Sequence, residues 1–127
     1  MPKLTASAPV LLTKDVVAAS EYYRDKLGFD RVELFGEPAN FAIVTRDGLS
    51  LMLAQKGRGV EHKPNWRIVD KTWNVYLWVD DVDAEYADMQ ARGAQIDYTI
   101  YNTPWGTREF GVQDLDDHDI AIGQVLD

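Results

Sequence analysis

Apolar and polar positions along this chain follow two periods, which alternate in a fixed order. Pro9 to Leu12 is a short apolar run, read as a strand. Val16, Ala19, Tyr23 and Leu27 then recur three and four residues apart, one apolar stripe on a helix. Asp15 stands before it as an N-cap, and Lys26 and Gly28 mark its end. Phe29 to Phe35, Asn40 to Thr45 and Leu49 to Ala54 read as three strands, with turns at Gly36-Glu37-Pro38 and Arg46-Asp47-Gly48. From Gln55 to Lys71 the periodicity is lost, and Gly57, Gly59, Pro64 and several charges mark a long connection with Trp66 in its middle. The order then returns. Trp73 to Val79 is a strand, Asp81 caps a helix striped by Val82, Tyr86 and Met89, and Gly93 ends it. Gln95 to Tyr101, Arg108 to Gln113 and Asp119 to Val125 are the last strands, separated by turns at Pro104-Trp105-Gly106 and Asp114 to His118.

The halves match in detail: Asp15-Val16 recurs as Asp81-Val82 and Gly28 as Gly93. An internal repeat of this kind fixes the architecture. The fold class is α+β: two βαβββ modules forming curved mixed sheets with a helix on each outer face. The chain is read as a single domain over 1–127, with module one at 1–54, a linker at 55–72 and module two at 73–127. In the strand from Asn74, alternation sends Val75, Leu77 and Val79 toward a helix and Asn74, Tyr76 and Trp78 to the inner face. Carried through every strand, it gives an inner face of Ala8, Val10, Leu12, Ser50, Met52, Asn74, Tyr76, Trp78 and Ala121.

Composition narrows the picture. A chain of 127 residues, 46% hydrophobic and 27% charged, is ordinary for a soluble domain with a real core. No apolar run approaches the roughly 20 residues a membrane helix needs. The N-terminus is too short and polar for a signal peptide, and a cytoplasmic location is expected. A net charge of −8 argues against nucleic-acid and anionic-membrane partners. With no cysteine, disulfides, thiolate metal sites and cysteine nucleophiles are excluded.

Three stretches carry a family resemblance. They are Val10 to Val16 with Tyr22 to Phe29; Leu77-Trp78-Val79-Asp80-Asp81-Val82; and Pro104 to Phe110 with Asp114-Leu115-Asp116. Together they resemble the vicinal oxygen chelate superfamily, which holds glyoxalases, extradiol dioxygenases and antibiotic-resistance proteins, over essentially the whole chain. The opening Met1 to Thr5 through Leu11, the helix end Leu27-Gly28-Phe29 and the run Trp105 to Phe110 resemble the bleomycin-resistance proteins within it. The last turn departs from the family pattern Asp-Pro-Asp-Gly-Asn, because here it reads Asp114-Leu115-Asp116-Asp117-His118.

The resemblance implies where metal ligands would stand in the family's enzymes: on the inner face of the first, fourth, fifth and eighth strands. Here those positions fall on Ala8, Met52, Asn74 and Ala121. Alanine has no donor, methionine is too soft for these metals, and an amide is a weak ligand. No metal, cofactor or catalytic residue is therefore expected. His62 and His118 are read as solvent-exposed, and Glu109 as a hydrogen-bonding or ion-pairing group before a general base.

The expected function is binding. Phe35, Phe41, Met52, Trp66, Asn74, Tyr76, Trp78 and Trp105 are the candidate ligand contacts, although Tyr76 and Trp78 fit core or interface equally well. Glu33, Glu37 and Asp97 would give an acidic rim favouring a cation. The resemblance implies a planar, cationic antibiotic such as bleomycin, sequestered without catalysis at a homodimer interface. The alternative is a metal-dependent glyoxalase-like lyase or dioxygenase of the same superfamily.

Overall fold

The computed structural model describes all 127 residues. Strand β1 (Val10–Thr13) leads into helix α1 (Val16–Asp25), followed by β2 (Arg31–Phe35), β3 (Phe41–Arg46) and β4 (Leu49–Gln55). The second module repeats this as β5 (Val75–Trp78), α2 (Val82–Arg92), β6 (Gln95–Asn102), β7 (Thr107–Gln113) and β8 (Asp119–Val125). The sheets run β1-β4-β3-β2 and β5-β8-β7-β6, with β1 parallel to β4 and β5 parallel to β8. The two-module α+β architecture is as the repeat predicts, and the strands differ from the predicted spans by a residue or two at their ends.

Local chemistry starts both helices. The carboxylates of Asp15 and Asp81 accept the N–H of Ala18 and Ala84, each at 3.1 Å. A second repeated device was missed in the sequence. The side-chain oxygen of Gln55 accepts the Val16 N–H, and that of Gln124 accepts the Val82 N–H, each at 2.9 Å. Each helix start, whose first amides have no intrahelical acceptor, is thereby tied to the last strand of its own module.

The helix-facing sides of the two sheets share one core of 17 buried residues, among them Leu11, Leu51 and Leu53 from module one and Phe110, Ile120 and Ile122 from module two. Polar bridges reinforce the junction. Arg46 on β3 holds Glu85 on α2 through two hydrogen bonds, the longer at 2.7 Å. On α1, the Tyr22 hydroxyl donates to the Gln113 carbonyl at 2.7 Å and accepts the Gln95 N–H at 3.0 Å. Because the cores meet back to back, the opposite face of each sheet is left open.

The turn before β8 corrects the reading of the histidines. His118 is 3% exposed and its Nδ1 lies 2.8 Å from Oδ2 of Asp114. The ring of His62 stacks on it, with centroids 5.2 Å apart. A polar sequence context does not expose a side chain when a buried acceptor is in reach, and Asp114 is that acceptor. It also takes the buried Tyr23 hydroxyl at 2.7 Å and the N–H groups of Asp116 and His118, each at 2.9 Å. These bonds close the turn without the family's proline and glycine.

Burial alone would raise the Asp114 carboxyl, but the bonds from His118 and Tyr23 hold it below the usual carboxylate range. Its contribution to stability is therefore complete above the ordinary aspartate value near pH 4 and is lost as pH falls below it. Tyr23→Phe removes one charge-assisted bond from this hub, and urea unfolding at neutral pH is expected to show a loss of about 2 kcal/mol.

Candidate functional site

Two glycines shape the open face of the second sheet. Gly111 on β7 and Gly123 on β8 leave the sheet surface bare, and the rings of Tyr98 and Tyr76 lie directly on them. A Cβ at Gly111 would stand 2.2 Å from the Tyr98 ring, and one at Gly123 would stand 2.2 Å from the Tyr76 oxygen. Held down in this way, both hydroxyls reach Glu109, which is fully buried. Tyr76 donates to its Oε1 at 2.7 Å, Tyr98 to its Oε2 at 2.6 Å, and the Thr107 hydroxyl to Oε1 at 2.9 Å. The Trp73 indole N–H donates to the Tyr98 oxygen at 3.1 Å.

This network makes a rigid aromatic floor. Burial, and the bond to Glu109, push the Tyr76 hydroxyl up to about 12, and the same two causes raise that of Tyr98 well above its ordinary value. Both phenols are therefore donors at any physiological pH, as the carboxylate requires. Glu109 is thus the common acceptor of three hydroxyls.

A cleft of about 660 Å³ lies over this floor. Its lining comes from Trp66, Asp70 and Lys71 of the linker, Trp73 before β5, Asp97, Tyr98, Thr99 and Tyr101 on β6, and Trp105 in the β6–β7 turn. Gln113 and Asp119 close one end, with Glu109 beneath. The linker forms one 3-10 turn, Asn65–Arg67, fixed as a wall by side-chain bonds. The Trp66 indole N–H donates to the Asp117 carbonyl at 2.6 Å, Arg67 pairs with the Asp117 carboxylate at 3.2 Å, and the Arg67 guanidinium lies over the Trp66 ring. The Asn74 side-chain oxygen accepts the Asn65 N–H at 3.0 Å, so Asn74 ties the linker to the start of β5.

Of the eight candidate contacts, the structure brings Trp66 and Trp105 together in this cleft. Tyr76 lies in the floor network, in contact with Trp73 and Trp78. Trp78, 64% exposed, stands at the rim of a smaller hollow of about 70 Å³ between the modules. Phe35, Phe41 and Met52 sit on the first sheet, where Phe41 pairs with Phe35 and Ile43 with Met52. That open face is apolar, with Val10 55%, Leu12 43% and Phe35 43% exposed. Of the acidic rim, Asp97 lines the cleft, Glu33 pairs with Arg31 on the first sheet, and Glu37 lies in the β2–β3 turn.

Trp73, Tyr98, Tyr101, Gln113 and Asp119 were not singled out in the sequence. The signal was partly there, because Gly111 and Gly123 within strands mark close approach of another group. Strict alternation hid Tyr98: β6 shifts register between Ile96 and Tyr98, and this irregularity puts Tyr98 on the cleft side together with Asp97.

Of the four positions that the family resemblance implied for ligands, Met52 pairs with Val10 and Ala121 lies between Tyr76 and Gly111, while Ala8 and Asn74 precede β1 and β5. No three histidine, aspartate or glutamate side chains converge on a point that would hold a metal ion. No helix is long and apolar enough to cross a membrane.

The sequence pattern of the Glyoxalase/Bleomycin resistance protein/Dioxygenase superfamily matches residues 6–122. No curated protein matches the chain. Among solved structures, the bleomycin-binding protein from bleomycin-producing Streptomyces verticillus, complexed with copper(II)-bleomycin, is 26% identical with a TM-score of 0.68, covering 100% of this chain and 99% of its own. TnmS3, an antibiotic binding protein from Streptomyces sp. CB03234, is 24% identical with a TM-score of 0.70 and 98% coverage of both chains. A glyoxalase-related enzyme from Clostridium phytofermentans is 17% identical with a TM-score of 0.76 and 98% coverage of both chains. The last two likenesses show the fold alone.

Proposed function

This chain belongs to the Glyoxalase/Bleomycin resistance protein/Dioxygenase superfamily, and we propose that it is a non-catalytic binding protein that sequesters a planar, cationic antibiotic such as bleomycin. The observation that carries this reading is the cleft itself: tryptophan walls over a rigid tyrosine floor, with carboxylates and a single lysine around them. Flat aromatic ligands gain affinity from stacking on such walls, and isolated polar groups fix their orientation. The likeness to a bleomycin-binding protein over the full chain agrees with it.

The open face of the first sheet supplies the second half of the proposal. An apolar face of this extent is rarely left in water. Two copies packed so that the first sheet of one covers the second sheet of the other would bury Val10, Leu12 and Phe35. They would also bring Phe35, Phe41 and Met52 opposite the tryptophan cleft. On this arrangement Phe35, Phe41 and Met52 form one wall, Trp66 and Trp105 the other over the Tyr76 floor, Asn74 positions the linker wall, and the protein works as a homodimer with two sites.

Titration with bleomycin is expected to quench tryptophan fluorescence with a midpoint in the micromolar range or below. Trp105→Ala is expected to weaken binding about tenfold, the effect of losing about 1.4 kcal/mol of stacking. No quenching at micromolar bleomycin would remove bleomycin as the ligand, and stoichiometric metal bound in the cleft of protein purified without chelator would favour the enzymatic alternative. Sedimentation equilibrium giving a monomer would remove the shared cleft.

A further inference from the structure

One strained residue stands behind the linker wall of the cleft. Three residues other than glycine have a positive φ: Asp47, Lys71 and Asp117. Asp47 precedes Gly48 between β3 and β4, where a tight hairpin asks for that conformation. Lys71 belongs to the linker and lines the cleft itself. Asp117, with φ of 64°, lies in the turn before β8. Glycine enters the left-handed region freely, whereas a residue with a Cβ is strained there. The family pattern has glycine at this place, and this chain carries an aspartate.

The turn itself makes no use of the Asp117 side chain. Asp114 closes it by accepting the N–H groups of Asp116 and His118, and Asp116 reaches out to the Lys14 N–H at 3.0 Å. The Asp117 carboxylate meets Arg67 on the linker, whose Nη2 donates to its Oδ2 at 3.2 Å. The carbonyl of the same residue accepts the Trp66 indole N–H at 2.6 Å. Two consecutive linker residues thus grip one turn residue, Trp66 by its main chain and Arg67 by its side chain. The clamp closes on itself, because the Arg67 guanidinium lies 5.1 Å from the centre of the Trp66 ring. Glycine would offer the carbonyl alone.

We propose that Asp117 and Arg67 are positioning residues that lock Trp66 in place as a cleft wall before any ligand arrives. The proposal rests on the cleft being the ligand site. Trp66 lines the cleft and neither Arg67 nor Asp117 does, so both act through the indole. Their ion pair is half-exposed on both sides, and such pairs add little to global stability. What the strain at Asp117 secures is local order. A wall already fixed spares the ligand the cost of ordering it, and raises affinity without a new contact.

The test uses the full-length protein and the indole N–H signals of a nitrogen–proton correlation spectrum, with Trp66→Phe assigning that of Trp66. In Asp117→Gly the Trp66 N–H is expected to exchange with solvent at least about tenfold faster. The Trp73 N–H, held by Tyr98, is expected to keep its wild-type rate, and the urea midpoint is expected not to fall, because glycine relieves the left-handed strain. Bleomycin is expected to bind Asp117→Gly about fivefold more weakly than wild type. In a Trp66→Ala background the same substitution is expected to cost nothing further, since no indole is left to position. Asp117→Asn tolerates the left-handed region and still accepts from Arg67, so it is expected to keep both the slow exchange and the affinity. Wild-type Trp66 exchange in Asp117→Gly, or an equal loss of affinity with and without Trp66, would overturn the lock. If wild-type protein does not bind bleomycin, the bleomycin reading alone falls, and the Trp66 exchange rate in Asp117→Gly still decides the lock.

Discussion

Glu109→Ala is expected to lower the unfolding free energy by about 4 kcal/mol, one of the two largest effects of single substitutions in this protein. Three hydroxyl donors, from Tyr76, Tyr98 and Thr107, lose their common acceptor at once. Each buried donor left unsatisfied costs about 1–3 kcal/mol, and water entering from the cleft offsets part of the sum. The loss also has a spectroscopic signature. The Tyr76 hydroxyl, held up at about 12 by burial and by Glu109, should ionise nearer the ordinary tyrosine value in the variant. In the wild type the raised value means that Tyr76 adds stability in full below about pH 10, and that this is lost as pH climbs toward 12. Tyrosinate absorbance during an alkaline titration checks the first statement, and urea unfolding between neutral pH and that range checks the second. An unchanged titration in Glu109→Ala would show that the carboxylate does not govern the floor.

Gly123→Ala and Gly111→Ala are expected to act through the same floor from below. Neither glycine has a positive φ, so the backbone tolerates alanine, and the obstacle is space alone. At 2.2 Å the new methyl would occupy the place of the Tyr76 hydroxyl in one variant and of the Tyr98 ring in the other. Both hydroxyls are fixed by Glu109, so the rings cannot yield without breaking those bonds. A cost of about 3 kcal/mol is expected for each, from overpacking together with the lost hydrogen bond. Any aromatic ligand should bind more weakly, because the cleft floor rises. A variant that unfolded like the wild type in urea and bound bleomycin as tightly would show that the tyrosines are not seated on these glycines.

The two predictions share one cause. Glu109, the two tyrosines and the two glycines form a single unit spread over β5, β6, β7 and β8. In the sequence those residues look unrelated. Glu109 reads as an ordinary strand carboxylate, Gly111 and Gly123 as strand weaknesses, and Tyr98 as one more aromatic. The same holds for the turn before β8. There Asp114 draws Tyr23 and His118 into a buried hub, although the run of aspartates suggests a solvated loop. Polar residues change meaning once a partner far along the chain is brought beside them.

Local pattern determined the rest. Apolar stripes at helical spacing, alternating strands and two Asp-capped helix starts specify two βαβββ modules, because these signals act over a few residues and recur in both halves. The same alternation placed Met52 and Ala121 on the faces opposite the core. It could not place Tyr98 on the same side as Asp97, because the β6 irregularity breaks the period. Nor could it place the linker, which has no period at all. Only tertiary contacts decide that Trp66 forms a wall, that Trp73 and Trp105 face it, and that Asp119 closes the end. A side chain's face within a strand follows from its neighbours in sequence. Its neighbours across the sheet, and hence its chemistry, follow from how the strands pair.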